Sequence, residues 1–348
     1  MIVKSMRLAG VLIALAAPAA AAAQAVDVAA VHARAVDIYV RTGDVTRAVM
    51  PLQNWKPDDF DRAIAALVAT GDVVRMQAAA VFHLDIGVAL VGLSPISAKL
   101  HIDLGDHLLN KVRDTFKEPA RIKEHDAFRA VYLAVAGSAF VSVREIRFSL
   151  PYVNEARDLA PQSAHVATVY GIAQEIDGLN YNPDDAATLS QRDRLERERI
   201  IRLGRAEKAY RDALQLDSHY AIASIRLGRV LQIIGKLKDA RQSLDRGVAD
   251  ARGAFEEYLG ALFLGGLLEE TKDLSAARQS YERALAIVPL SQPAIVGLAH
   301  VEVMSGRPDR AQEIVRQFTS ARVDTWWAYN QGALDLTGLS WLRERTRQ

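Results

Sequence analysis

The sequence predicts an all-α protein assembled from stacked antiparallel helical hairpins, and three observations carry that prediction. Apolar residues fall at helical spacings in paired runs joined by short polar turns, small residues recur at a fixed interval inside each pair, and strand-type alternation nowhere outcompetes the helical pattern. The stretch LGGLLEETKDLSAARQSYERALAIVP, residues 264–289, shows all of this: two apolar runs, the turn ETKDLS between them, and Pro289 to stop the second helix. Gly265 on its first helix is followed 12 residues later by Ala277 on its second, then by Tyr281 and Ala284. The same 12-residue interval separates Gly228 from Ala240, Ala299 from Ala311 and Gly137 from Ser149.

The units recur along the chain. The first-helix small residues Gly137, Gly171, Gly228, Gly265 and Ala299 lie 34, 57, 37 and 34 residues apart. The long interval has a specific origin: Gly171 is 35 residues from its second-helix partner Ala206, so that unit carries an insertion of 23 residues, after which Tyr210 and Ala213 resume the pattern. Small residues let two helices approach closely, an aromatic fills the space between hairpins, and each hairpin buries its open apolar face on the next.

The residues that carry this pattern are Leu227-Gly228, Leu264-Gly265 and Tyr170-Gly171, with the second-helix runs ARDLAP, AYRDALQLD and SYERALAIVP. They resemble the tetratricopeptide repeat family, as found in exported bacterial proteins. The resemblance covers about residues 126–320 and implies a right-handed α-solenoid, a superhelix whose groove is lined by the first helices. Two departures stand out: Arg252 replaces the terminating proline of the unit around Gly228, and the bulky Phe318 stands where other units have a small residue, which implies that the array closes there.

Upstream, residues 25–125 read as degenerate helical hairpins that extend the solenoid, with Pro57 and the acidic residues after it opening one of the helices. The first 24 residues stand apart. A basic leader, MIVKSMR, precedes an apolar run and an A-x-A site at Ala21 and Ala23, the pattern of a secretory signal peptide cleaved near Ala23. The run Leu8 to Ala23 is 16 residues long and broken by Pro18, short of the roughly 20 needed to span a bilayer. No later stretch is expected to approach that length, so the mature chain is expected to be periplasmic or secreted, without stable membrane insertion. There is no cysteine to form a disulfide or take a lipid, and a formal net charge of +1 gives no support to nucleic-acid binding.

The insertion, about residues 179–205, begins as a polar loop in which Asn182 is placed to cap a helix that Pro183 starts. The run RDRLERERIIR then sets Asp193 four residues from Arg197 and Glu198 four from Arg202, a solvated helix face. Residues 321–348 hold Trp326, Trp327 and Trp341 and are expected to cap the array by packing on its last hairpin.

Catalytic chemistry is sparse. HIDLGDH crowds His101, Asp103, Asp106 and His107, with His83 and Asp85 upstream. On a helix Asp103 and His107 share a face at i, i+4 while His101 lies about 100° or more from Asp103, so the segment offers part of a metal site, and surface or interface positions are the expected role. Neither a phosphate-binding loop nor a nucleophile, base and orienter set is present, so no enzyme activity, metal or cofactor is expected.

The groove implied by the family resemblance is flanked by His165, Thr168, Ile172 and Glu175; Ile222, Ile225, Arg229 and Gln232; Leu259, Leu262 and Glu269; and Val296, His300 and Val303. This lining suits an amphipathic helix or an extended peptide with apolar anchors. Where some relatives grip a terminal carboxylate with lysines and asparagines, this chain has Ala134, Thr168 and Ile225, so that activity is not implied. The expected function is a non-enzymatic scaffold that binds a protein or peptide partner in the bacterial cell envelope. Two readings compete: a self-associating homo-oligomer built through the tail or the charged arm, and a metal-dependent enzyme at HIDLGDH.

Overall fold

A computed structural model describes residues 27–316 and 336–346. Among them are sixteen α-helices and no strand, which establishes the all-α expectation. The described chain divides into two compact units, one running to Ala160 and taking in the residues from Asp335 onward, the other spanning Pro161–Leu334.

Unit 1 contains α1 (Val28–Thr42), α2 (Val45–Val49), α3 (Pro57–Thr70), α4 (Val73–Leu90), α5 (Pro95–Arg113), α6 (Pro119–Ser142) and α7 (Ile146–Leu159). Local chemistry sets the helix ends. The Asp27 carboxylate accepts the Ala30 N–H, Asp72 accepts that of Arg75, and Ser94 accepts that of Ser97, each satisfying an otherwise orphan donor of a first turn. α4 pairs with α5 and α6 with α7, while α1 packs on α3 and α4.

One described helix, α4, is by length and composition apolar enough to cross a membrane, contrary to the expectation that no later stretch approaches that length. Its apolarity has another cause in this fold: 67% of the 18-residue window is buried inside the protein, where Met76, Val81, Phe82, Leu84 and Ile86 are nearly inaccessible. A helix covered over most of its surface needs little polar face.

Unit 2 is a series of hairpins: α8 (Ala164–Leu179) with α9 (Leu189–Leu216), α10 (Ala221–Ile233) with α11 (Leu237–Asp250), α12 (Ala254–Glu270) with α13 (Leu274–Ile287), and α14 (Gln292–Met304) with α15 (Pro308–Arg316). Each hairpin packs on the next, and the first helices α8, α10, α12 and α14 also touch in succession. Tyr281 shows why small residues recur. A Cβ added to Gly265 would lie 2.8 Å from its ring and one added to Gly297 would lie 2.3 Å from it, so the ring fits only between two bare backbones. Its hydroxyl donates to Glu269 at 2.8 Å.

Two local expectations change. Asn182 accepts the Asp184 N–H but opens only a short 3-10 turn, Pro183–Asp185; the long helix α9 starts at Leu189, capped by Thr188. The turn stops there because Ala186 takes an extended backbone, φ −78° and ψ 131°, which does not continue a helix. Beyond it, Glu198 pairs with Arg202, which also reaches Asp177 at 2.7 Å.

The last described helix, α16 (Leu336–Arg345), belongs to unit 1, where it packs on α6 and α4. Trp341 therefore does not cover the last hairpin; its ring lies 5.7 Å from that of Phe128 on α6. The reason is a stronger anchor: Leu339 and Leu342 are buried there and Arg343 finds a carboxylate, Asp85. Phe318, Trp326 and Trp327 lie outside the described residues.

Candidate binding cleft

Unit 2 holds an open cleft of about 560 Å³ framed by α8, α9, α10, α12, α13 and α14. On its wall the Arg229 guanidinium sits 4.6 Å from the centre of the Phe263 ring, a cation–π arrangement in which the aromatic face offsets some of the charge lost from water. Arg199 enters from the inserted part of α9, and Gln232 donates to Glu270 at 2.9 Å across neighbouring repeats. Leu262 and Leu179 add apolar surface. Two guanidinium groups, an aromatic face and the Gln232 amide in one concavity can hold an extended segment that alternates polar and apolar side chains.

Beneath this wall lies a buried polar cluster. Glu175 is fully buried and accepts from Tyr210 Oη at 2.6 Å and from the equally buried Arg226 at 3.3 Å, while Arg229 Nε stands 3.4 Å away. Burial, followed by the adjacent Glu175 charge, pushes the Tyr210 hydroxyl well above its usual pKa. Tyr210 thus stays a neutral donor.

The structure divides the sequence-derived groove residues into two groups. Thr168, Ile172, Glu175, Ile225 and Leu259 are buried and serve the core and not an open lining, while Leu262, also largely buried, still reaches the cleft. The physical reason is that successive first helices pack side by side, which turns these flanks into hairpin-to-hairpin interfaces; Ile225, for example, lies against Gly247 and Gly260. His165, Ile222, Arg229, Gln232 and Glu269 are partly exposed. Val296, His300 and Val303 form an exposed stripe on α14, with Val296 at 62% and Val303 at 53% accessibility, and His300 pairs with Glu269 at 2.5 Å. The structure brings Arg229 and Gln232 into the cleft and adds Arg199 and Phe263, which sequence reasoning missed. Phe263 sits one helical step from the Leu262 already singled out. Arg199 had only its place in the insertion as a signal.

HIDLGDH does not converge. His101 turns inward, Asp103 faces outward to Lys99 and to the Tyr152 hydroxyl, and Asp106 holds Arg129 at 2.7 Å. No group of three or more His, Asp or Glu among the described residues is placed to hold a metal ion.

His83, Asp85 and His101 are buried as well, against the expectation of surface and interface positions. His32, His83 and His101 form a stacked chain, with His32 Nε2 to His83 Nε2 at 3.1 Å and His83 Nδ1 to His101 Nδ1 at 3.0 Å. If each ring is neutral, one N–H per ring is enough to run the chain in a single direction. Burial, then the neighbouring Arg75, lowers His32 to about 4; burial, then His32, lowers His101 to about 4. Burial, then the other two rings, holds His83 well below the imidazole range.

The hairpin stack and its cleft define an α-helical repeat protein. The profile of the tetratricopeptide repeat family matches residues 268–328. The Cellulose synthase 1 operon protein C of Komagataeibacter xylinus is 23% identical over 295 residues, a match covering 72% of this chain and 22% of that protein. The chain thus spans less than a quarter of that relative's length. Among solved structures, yeast Tom70 aligns with a TM-score of 0.44 at 12% identity, covering 99% of this chain and 69% of that one. YrrB, described as a TPR protein with an unusual peptide-binding site, aligns with a TM-score of 0.38 at 14% identity, covering 65% and 97%.

Proposed function

We propose that this chain is a non-enzymatic, exported scaffold of the bacterial cell envelope that binds a segment of a protein or peptide partner in the unit 2 cleft. The observation that carries this reading is the concave wall formed by Arg199, Arg229, Phe263 and Gln232, continued on α14 by the exposed Val296, His300 and Val303. Four consecutive hairpins supply these groups, so an extended chain would meet polar and apolar anchors in turn. Export follows from the leader and its A-x-A site, and a fold without cysteine suits a compartment where thiols would be oxidised. Residues for catalysis do not gather in the cleft, whose groups bind without offering a nucleophile and base.

The test is site-specific photocrosslinking in producing cells from position 232 in the cleft, against position 238 on the exposed start of α11. A single partner captured from 232, absent from 238 and lost on Phe263→Ala, supports the cleft. Equal capture from both positions would refute it. Fractionation of the same cells checks the location, and retention of the chain in the cytoplasm would remove the envelope from the proposal.

A further inference from the structure

Unit 1 takes up a helix that comes from the far end of the chain. α16 is ten residues long, too short to be stable alone in water, so it gains its order by docking. Leu339 and Leu342, three residues apart on one face, are 2% and 0% exposed, and Trp341 rests on Phe128. Arg343 makes a two-pronged contact with Asp85, its Nε donating to Oδ2 at 2.8 Å, and Arg345 pairs with Glu124 on α6.

Asp85 shows that the site is built for a cation. It is 3% exposed in the middle of α4, it already accepts the Tyr39 hydroxyl, and among the described residues its ion-pair partner is Arg343. A buried carboxylate without a partner is strongly unfavourable. That partner is delivered from 258 residues away in sequence, whereas the other helices of unit 1 follow one another between residues 28 and 159. The receptor and the element that completes it are therefore separate parts of the chain.

We infer that the α4/α6 face of unit 1 is a recognition site for an amphipathic helix bearing Leu-x-x-Leu-Arg, and that the partner it fits is the C-terminal helix of a second copy of this chain. Exchange of an identical element between copies replaces every contact with its equal, so only the linker and concentration decide between the internal and the reciprocal arrangement. The two leucines supply affinity and the arginine selects the register that reaches Asp85.

The experiment uses the full chain with Leu342→Glu, which disables its own helix and leaves the receptor intact, and a fluorescent peptide of residues 336–348. Fluorescence anisotropy should show saturable binding to this variant and weaker binding to the wild-type chain, whose site is occupied. A peptide with Arg343→Ala should bind roughly thirtyfold more weakly, the effect of breaking an ion pair that is buried on the Asp85 side and partly exposed on the other. Mixing the Leu342→Glu chain with an Asp85→Ala chain, which retains a helix and lacks the receptor charge, should yield a one-to-one complex by light scattering. A folded Leu342→Glu chain that ignores the peptide, an Arg343→Ala peptide that binds equally well, or a mixture that stays monomeric would each overturn the inference. Should Leu342→Glu fail to show native circular dichroism, the full chain with Arg343→Ala takes its place in both assays.

Discussion

Both units bury a carboxylate against a tyrosine hydroxyl and a guanidinium, yet they obtain the guanidinium in opposite ways. In unit 2, Glu175 meets Tyr210 and Arg226, the arginine lying 51 residues away on the first helix of the next hairpin. In unit 1, Asp85 meets Tyr39 and Arg343, the arginine 258 residues away on the last helix. A repeat array satisfies its buried polar groups from the neighbouring repeat, because each unit presents the same face to the next. In unit 1 the α4/α5 hairpin also packs on the next one, α6/α7, yet Asp85 takes its guanidinium from a segment delivered late in the chain.

The largest difference between the units should appear in acid. His32, His83 and His101 are held neutral in folded unit 1, and their ordinary pKa in an unfolded chain is 6.5. Because the folded values are depressed, the stabilisation is complete above 6.5 and is lost as pH falls from there through about 4. Roughly 3 kcal/mol is expected from His32 alone by this linkage. Unit 1 should therefore unfold before unit 2 on acid titration, followed by hydrogen exchange at α4 and α10; simultaneous loss would break the comparison.

Next in size, Glu175→Ala leaves Arg226 buried beside an empty site and should destabilise unit 2 by about 3–5 kcal/mol, measured by urea denaturation, with the amide protection of α4 unchanged. Arg343→Ala should be milder, about 2 kcal/mol, because that guanidinium is partly exposed and the loss is screened. It should release the amides of α16 to exchange and leave unit 2 as it was. Smallest of the set, Gly297→Ala pushes a methyl group against the Tyr281 ring and should cost about 1–3 kcal/mol by overpacking, read as a lower urea midpoint for unit 2 alone.

The legible part of the fold followed from periodic, local signals. Gly265, Ala277 and Tyr281 announce a hairpin because close helix packing demands small residues at set positions, and the 23-residue insertion before Ala206 was countable for the same reason. The cleft was legible only in part. The resemblance placed Arg229 and Gln232 on the groove side, but the burial of Ile225 and Leu259 depends on how tightly neighbouring first helices pack, which a single helix's sequence does not encode. Arg199 became a cleft residue only when α9 folded back along α8.

The amino-acid order alone determined the helices and the hairpin period, because hydrophobic periodicity acts within a few residues of chain. Tertiary structure decided that His32, His83 and His101 line up in one stack, that Glu175 and Asp85 each find a guanidinium, and that the C-terminal helix lies on α4 and α6 of unit 1. Those pairings join residues 18 to 258 positions apart. They are selected by the cost of burying polar groups unpaired, a constraint that takes effect only once the helices have packed.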